Sequence, residues 1–401
     1  DEGPSLEFVA RLGSALATYG APAHRLEQVL EILTEDLYVA ATISSTPTLL
    51  LMDFGLPDGN RMRMERIRSN AIDLGRLCEL DELFNEVADH RCTPREGLDR
   101  LDRILDAPDP YGPIATCAAF AFTSGAAALL FGGGAMEVQL GFVAGAVLGM
   151  VAVAAEFWEG VSRIFEPLGA FMVALFIGCV APWVGPVDVD AVLLAGVVVL
   201  VPGFTLTIGV SELVSHHTSS GVARLGRAAV TALLLAFGAA LGTHLAELMV
   251  GVPAAYTAGA ALPFWAPWMA FPVVLVSISA LFRTPLRDWW GVLLVSLAGF
   301  VTLETLDGTL RFELGVFLAA LAVGCGSNLY ARWMDRPSAV TRLPALLFLV
   351  PGSLGFVSMS GLLRGDVGVA TQTAGMVGLV VMSLVTGLVL AGSVVPPRKV
   401  L

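Results

Sequence analysis

Apolar positions in the first 110 residues recur at helical spacing, change period once, and return to it. Leu6, Val9, Leu12 and Leu16 share a face and predict an amphipathic helix ending near Gly20-Ala21-Pro22. Leu26, Val29, Leu30, Leu33 and Leu37 predict a second helix that begins near Pro22. Between residues 38 and 68 the period changes. Leu49 to Phe54 and Arg61 to Ile67 flank Asp58-Gly59, which predicts a hairpin. Its second run alternates Arg and Met, giving one wet face and one packed face. Helical spacing resumes from Ile72 to Val87. Thr93-Pro94-Arg95-Glu96 then predicts a capped helix: Thr93 can cap, Pro94 suits the first helical position, and Glu96 can reach back. That helix is expected to run to Asp106, with Pro108 and Pro110 ending a small α+β region.

From residue 111 onward the polar positions thin out. Apolar runs near the length that crosses a bilayer, about 17–25 residues, fall at 111–131, 138–157, 167–183, 190–211 and 222–249. A second set falls at 263–282, 289–306, 312–332, 342–362 and 370–394. The expected fold is therefore an α-helical polytopic membrane protein. It has an N-terminal cytoplasmic α+β domain (1–110) and two five-helix membrane repeats (111–250 and 251–401), ten spans in all. Two runs are interrupted alike, at Leu200-Val201-Pro202-Gly203 and Leu349-Val350-Pro351-Gly352. Proline cannot continue a helical hydrogen-bond ladder, and the backbone it frees at membrane depth must face protein, water or a ligand.

Charge fits this division. The chain is 56% hydrophobic and 14% charged, with a mean hydropathy of +0.76, whereas soluble domains are nearer 25% charged. Residues 1–110 hold 21 of the 35 acids and 11 of the 23 bases. With that region in the cytoplasm, the loops expected inside carry Arg163, Arg224, Arg227, Arg283, Arg287, Arg332, Arg336, Arg342, Arg398 and Lys399. Those expected outside carry only Arg311 and Arg364, an alternation that obeys the positive-inside rule. The acidic balance argues against nucleic acid as a partner. Five scattered cysteines with no Cys-x-x-Cys indicate neither a metal site nor a disulfide framework. Asp1-Glu2-Gly3-Pro4 carries no signal-peptide pattern. No cofactor is expected.

The two halves also resemble each other. Gly141, Gly149 and Val151 match Gly291, Gly299 and Val301. Leu168, Gly169, Phe171, Ala174, Leu175, Gly178 and Cys179 match Leu314, Gly315, Phe317, Ala320, Leu321, Gly324 and Cys325. The Pro-Gly breaks match in turn, with shifts of 150, 146 and 149. An odd number of spans per half makes the second enter the membrane from the opposite side. That is an inverted-topology repeat, common in secondary transporters.

Several motifs resemble the threonine/serine exporter family: Leu12-Gly13, Gly20 to Glu27, Thr46-Pro47-Thr48, Leu200 to Gly203, Glu212-Leu213, Ser220 to Leu225, and Leu349 to Ser353. The resemblance covers nearly the whole chain. It implies proton-driven export of small hydroxy amino acids across the cytoplasmic membrane, with protons and the lipid bilayer as partners. Related two-subunit versions imply a small dicarboxylate such as succinate instead. The sequence departs from the family pattern at Glu212, where Asp is usual, and at His216, where Gly is usual.

An amino acid substrate needs donors for its carboxylate, an acceptor for its ammonium and a partner for its hydroxyl. Helix N-termini at Pro202-Gly203 and Pro351-Gly352 supply the donors. Freed carbonyls or Glu212 could take the ammonium, and Thr205, Thr207, Ser211, Ser353, Ser358 and Ser360 the hydroxyl. Asn328, beside Ser327, is a further lining candidate. Helix packing also favours small polar residues in membranes, so each has a structural alternative. Ionisable residues in spans point to function, and the proton-coupling candidates are Glu212, His216, His244 and Glu247. Glu156, Glu304 and Asp307 read as solvated span ends. Arg25 and Glu27 read as a solvated charge pair at a helix start. A passive channel gated by the cytoplasmic domain is the other alternative, and a second copy of the chain is compatible with the pattern. A catalytic site is not expected: there is no Gly-x-Ser-x-Gly, and the only lysine, Lys399, leaves no phosphate-binding loop.

Overall fold

The computed structural model describes residues 2–55, 59–67, 72–251, 263, 265–306, 310–349 and 352–397. The N-terminal region comprises α1 (Glu2–Thr18), α2 (Ala23–Asp36), β1 (Ala40–Thr46), β2 (Leu49–Gly55), β3 (Arg61–Arg66), α3 (Leu74–Ala88) and α4 (Pro94–Asp106). The strands form one antiparallel sheet in the order β1-β2-β3. Asp53 faces both Thr42 and Met62 across its two neighbours. The expected hairpin is β2–β3. Asp58 lies outside the described residues, and Gly59 adopts φ +118°, a conformation glycine takes without strain. Strand β1 is additional to the expectation. Its Ala, Thr and Ser residues give little hydrophobic alternation, and only Ile43 and Ser45 turn fully inward. The cap of α4 forms as expected: the Glu96 N–H donates to the Thr93 hydroxyl, and the Thr93 N–H to the Glu96 carboxylate at 3.0 Å.

Phe8, Leu12, Leu16, Leu26, Leu30, Leu33, Leu50 and Met52 are fully buried in this region's core. The core does not stop at residue 110. Ala339 and Leu343 belong to it, and Phe204 and Phe282 pack against it. Polar ties reinforce the junction. The Leu74 N–H donates to the Phe282 carbonyl at 2.9 Å. Arg283 pairs with Asp109 and Asp73, and Glu82 with Arg287 and Arg336. Gly75 lies so close that an added Cβ would sit 2.9 Å from the Arg283 carbonyl oxygen.

The remaining helices are α5 (Pro113–Leu130), α6 (Ala135–Phe157), α7 (Glu159–Arg163), α8 (Phe165–Val184), α9 (Val189–Val197), α10 (Gly203–Val214), α11 (Thr218–Val250), α12 (Ala266–Leu281), α13 (Trp289–Leu306), α14 (Phe312–Met334), α15 (Ala339–Leu346), α16 (Gly352–Leu363) and α17 (Val367–Val394). Seven are long and apolar enough to cross a membrane: α5, α6, α8, α11, α13 with the turn before it, α14 and α17. An eighth is the α9–α10 pair, bent by 53° at Val201-Pro202. A helix occupies each of the ten places expected, but helix length supports seven or eight spans. Helix α12 has 16 residues and contains Pro272, and the α15–α16 segment is divided near Leu349. The chain is thus a multi-pass helical membrane protein with a helix-and-three-strand region at its N-terminus.

Small residues set the closest helix approaches. A Cβ on Gly242 of α11 would meet the Phe171 carbonyl oxygen, the Ala174 Cβ at 2.9 Å and the Leu175 nitrogen at 3.0 Å. A Cβ on Gly387 of α17 would meet the Phe317 carbonyl oxygen, the Ala320 Cβ at 2.9 Å and the Leu321 nitrogen at 3.0 Å. Likewise Gly178 lies against Ala246, and Gly324 against Ala391, each with a would-be contact of 2.5 Å. The same pairs of positions meet in both halves.

Candidate functional site

Helix α9 passes through a short 3-10 turn, Val198–Leu200, before the chain breaks at Val201-Pro202 and restarts as α10. Pro202 is the N-cap residue of α10 and offers no side-chain cap. The Gly203 N–H bonds back to the Val201 carbonyl at 2.8 Å. The second break meets the first. A Cβ on Gly352 would lie 3.0 Å from a Val201 methyl and 3.6 Å from the Gly203 Cα. Val350 and Pro351 lie outside the described residues. Beside this crossing is a cavity of about 490 Å³ lined by Val201, Phe204, Phe348, Gly352, Ser353, Glu304 and Thr123, among others. Among the described residues the buried Thr123 hydroxyl has no hydrogen-bond partner, so it is available to a solute in the chamber.

A second cavity, of about 290 Å³, lies where the N-terminal region meets the membrane helices. Gly20 to Pro22, His24, Arg25 and Gln28 form one side; Phe204, Thr207, Ser211, Arg342, Leu388 and Val389 contribute to the other. Phe204 lines both cavities and is the partition between them. Burial pushes the His24 imidazole down to about 3, helped by the neighbouring cations Arg25 and Arg342. Burial also lowers Arg25 from its ordinary value. Among the described residues, no carboxylate lies within 4.0 Å of either guanidinium, and Arg25 Nε and His24 Nδ1 are buried without partners. Arg25 and Glu27 are therefore not a solvated pair. Glu27 instead accepts from the Ser45 N–H at 2.6 Å and meets His217 Nε2 at 2.9 Å.

Glu212 sits on the last turn of α10, fully buried, in neither an open loop nor the central chamber. It accepts from the Ala23 N–H at 3.1 Å, the Ser220 hydroxyl at 2.7 Å and Arg224 Nε at 3.0 Å. Its carboxylate thus fastens the start of α2 to the α10–α11 turn. His216 in that turn is exposed and has φ +65°, a conformation that glycine takes without strain. His217 is raised. Burial opposes the charge, but hydrogen bonds to Glu27 and to the Ser215 carbonyl outweigh it.

The remaining candidates separate. Thr207 donates to the Gly203 carbonyl at 3.1 Å and lines the junction cavity with Ser211; Thr205 is half-buried on α10 and lines neither described cavity. Ser353 lines the central chamber. Buried Ser358 donates to the Ala370 carbonyl at 2.7 Å, and Asn328 to the Val395 carbonyl at 2.8 Å, so both tie helices together. His244 and Glu247 stand 3.8 Å apart in a third cavity, of about 220 Å³, with Thr243, Ser360 and Arg364. Arg364 also pairs with Asp190 at 2.7 Å. Sequence reasoning missed Arg342 and Thr123 as lining residues. The available signal was a lone arginine opening the apolar run that leads into the second break.

A family model described as "Putative threonine/serine exporter" matches residues 7–246, and one described as "Threonine/Serine exporter, ThrE" matches residues 255–394. The chain belongs to the threonine/serine exporter family. Its relatives include Pheromone-regulated membrane protein 10 of Saccharomyces cerevisiae, 26% identical over 89% of this chain and 47% of that protein. The Candida glabrata protein of that name is 25% identical over 89% of this chain and 46% of its own length. That of Yarrowia lipolytica is 25% identical over 86% and 30%. This exporter-family chain thus spans less than half the length of these relatives. No solved structure matches it.

Proposed function

We propose that the protein exports small hydroxy amino acids, threonine and serine, across the cytoplasmic membrane, with the N-terminal region on the cytoplasmic side and a proton gradient as the driving force. The observation that carries this is the meeting of the two Pro-Gly breaks at Gly203 and Gly352 beside the 490 Å³ chamber, in a chain of the threonine/serine exporter family. Broken helices that cross at a polar-edged cavity are how transporters expose backbone dipoles to a solute.

Ten spans in two inverted repeats of five fit this reading. Supporting it are the paired contacts of Gly242 and Gly387, and those of Gly178 and Gly324. The side cavities also correspond. Adding 145 to Thr243, His244 and Glu247 gives Leu388, Val389 and Gly392 of the junction cavity; adding 149 to Leu193 gives Arg342. The junction cavity serves as the entry vestibule and the His244–Glu247 cavity as the exit vestibule, with the chamber between them. Glu212 acts as the proton-linked latch: protonation removes its pairing with Arg224 and loosens the start of α2. His244 and Glu247 are the proton acceptors on the exit side.

Counterflow in proteoliposomes with labelled threonine, serine and succinate, with and without a pH gradient, tests the function. Threonine and serine uptake stimulated by the gradient is expected. Uptake of succinate alone would assign the dicarboxylate reading instead, and gradient-driven flux unchanged by Glu212→Gln would remove the latch.

A further inference from the structure

We infer that Arg25 and Arg342 jointly bind the carboxylate of a small solute in the junction cavity, so that the N-terminal region supplies half of a binding site rather than only a regulatory cover. The inference rests on the exporter reading solely for which solute is carried.

Two guanidiniums from distant parts of the chain, one on the first turn of α2 and one on α15, line a single cavity of about 290 Å³. Buried cations are costly without a counter-charge, yet no carboxylate pairs with either among the described residues. The other buried or half-buried arginines at this junction differ: Arg224 pairs with Glu212, Arg283 with Asp109, and Arg336 with Glu82. Among the described residues, Arg25 Nε and His24 Nδ1 have no partner. His24 is held neutral by its surroundings, so it can present one ring nitrogen as donor and the other as acceptor. A guanidinium is a planar fork matched to a carboxylate, and two forks can engage both oxygens. Thr207 and Ser211, facing the same space from α10, offer hydroxyls to the rest of the solute. Phe204 is the wall beyond which the central chamber begins.

None of the residues lining this cavity is Asp or Glu. A bound ammonium would therefore face two cations with no carboxylate to receive it, only neutral acceptors such as the His24 ring nitrogen and carbonyl and hydroxyl oxygens. The site is expected to hold a dicarboxylate such as succinate more tightly than zwitterionic threonine, whichever of the two is exported.

Purified full-length chain is titrated with threonine, serine and succinate by calorimetry, alongside Arg25→Gln, Arg342→Gln and, as a surface control, Arg163→Gln. Thermal melts of each variant confirm folding. Arg25→Gln and Arg342→Gln are each expected to weaken carboxylate binding about tenfold or more, the loss of one charged hydrogen-bonding partner, while Arg163→Gln leaves it unchanged. Lys at either position should restore part of it. Affinity within twofold of the unsubstituted chain in both Gln variants would overturn the proposal, as would no binding of any of the three solutes to the unsubstituted chain. Arg-dependent succinate binding without threonine transport would uphold this site while rejecting the amino acid reading.

Discussion

At the scale of single residues, Glu212 and its neighbours decide how the N-terminal region is held. Its carboxylate is fully buried and satisfied by three groups from two parts of the chain. Glu212→Gln leaves Arg224 without its counter-charge, and breaking a buried pair this way costs about 3 kcal/mol. A lower melting temperature in detergent, partly relieved by adding Arg224→Gln, is the expected result. His217 gives the junction a pH dependence of definite sign. Its folded value lies above its ordinary 6.5, so its contribution is complete below about pH 6.5. It fades as pH rises through the raised value. His24 acts oppositely: lowered to about 3, it costs stability as pH falls below 6.5. Hydrogen exchange at Ser45, taken relative to its intrinsic base-catalysed rate, should therefore rise between about pH 7 and 8, above the window in which His24 acts, and His217→Gln should flatten that rise. The sequence made Glu212 visible, as an acid after a proline break, but not its partner Ala23. A backbone N–H has no signature, and the separation of 189 residues is bridged only by the fold.

At the scale of elements, most of the helices were legible because apolar spacing and proline positions are local signals. Leu26 to Leu33 wrote α2, and Thr93 with Glu96 wrote the start of α4. Strand β1 was not legible, since Ala40 to Thr46 draws its place from pairing with β2 rather than from its own alternation. Span count was only partly legible: hydropathy finds an apolar run, whereas a helix divided near Leu349 is set by the turn. Helix α11 packs on α8, and α17 on α14, through glycines that admit no side chain. Gly242→Ala and Gly387→Ala should each destabilise by about 2 kcal/mol, the cost of overpacking. Gly226→Ala, with nothing within 4 Å of its would-be Cβ, should be neutral in the same melting assay. Similar losses at the two paired glycines would extend the likeness of the halves from sequence to energetics.

At the scale of the whole molecule, the two side cavities differ in what borders them. The junction cavity is roofed by packed protein, Gly20 to Gln28, with an apolar core behind it. At the His244–Glu247 cavity the lining residue Arg364 instead pairs with Asp190, and both of these side chains are more than half exposed. Such a pair contributes at most about 1 kcal/mol. Arg364→Gln should leave the melting temperature within a degree or so, yet speed labelling of a cysteine placed at Ser360. Unchanged labelling would remove the pair as a gate. Which residues share a cavity was the least legible feature of all. Arg342 in the sequence is one of several loop arginines, and only the junction with α2 turns it inward.

The shared core also constrains how the protein is made. Phe8, Leu12 and Leu30 belong to one buried core that Ala339 and Leu343 complete. Those residues leave the ribosome roughly 240 positions after α4, tens of seconds later at bacterial or eukaryotic synthesis rates. Through that interval the N-terminal region carries an uncovered apolar face while successive helices enter the bilayer. The N-terminal region is thus among the last parts to be completed, and chains truncated before α15 should be cleared by proteolysis rather than accumulate with that region folded.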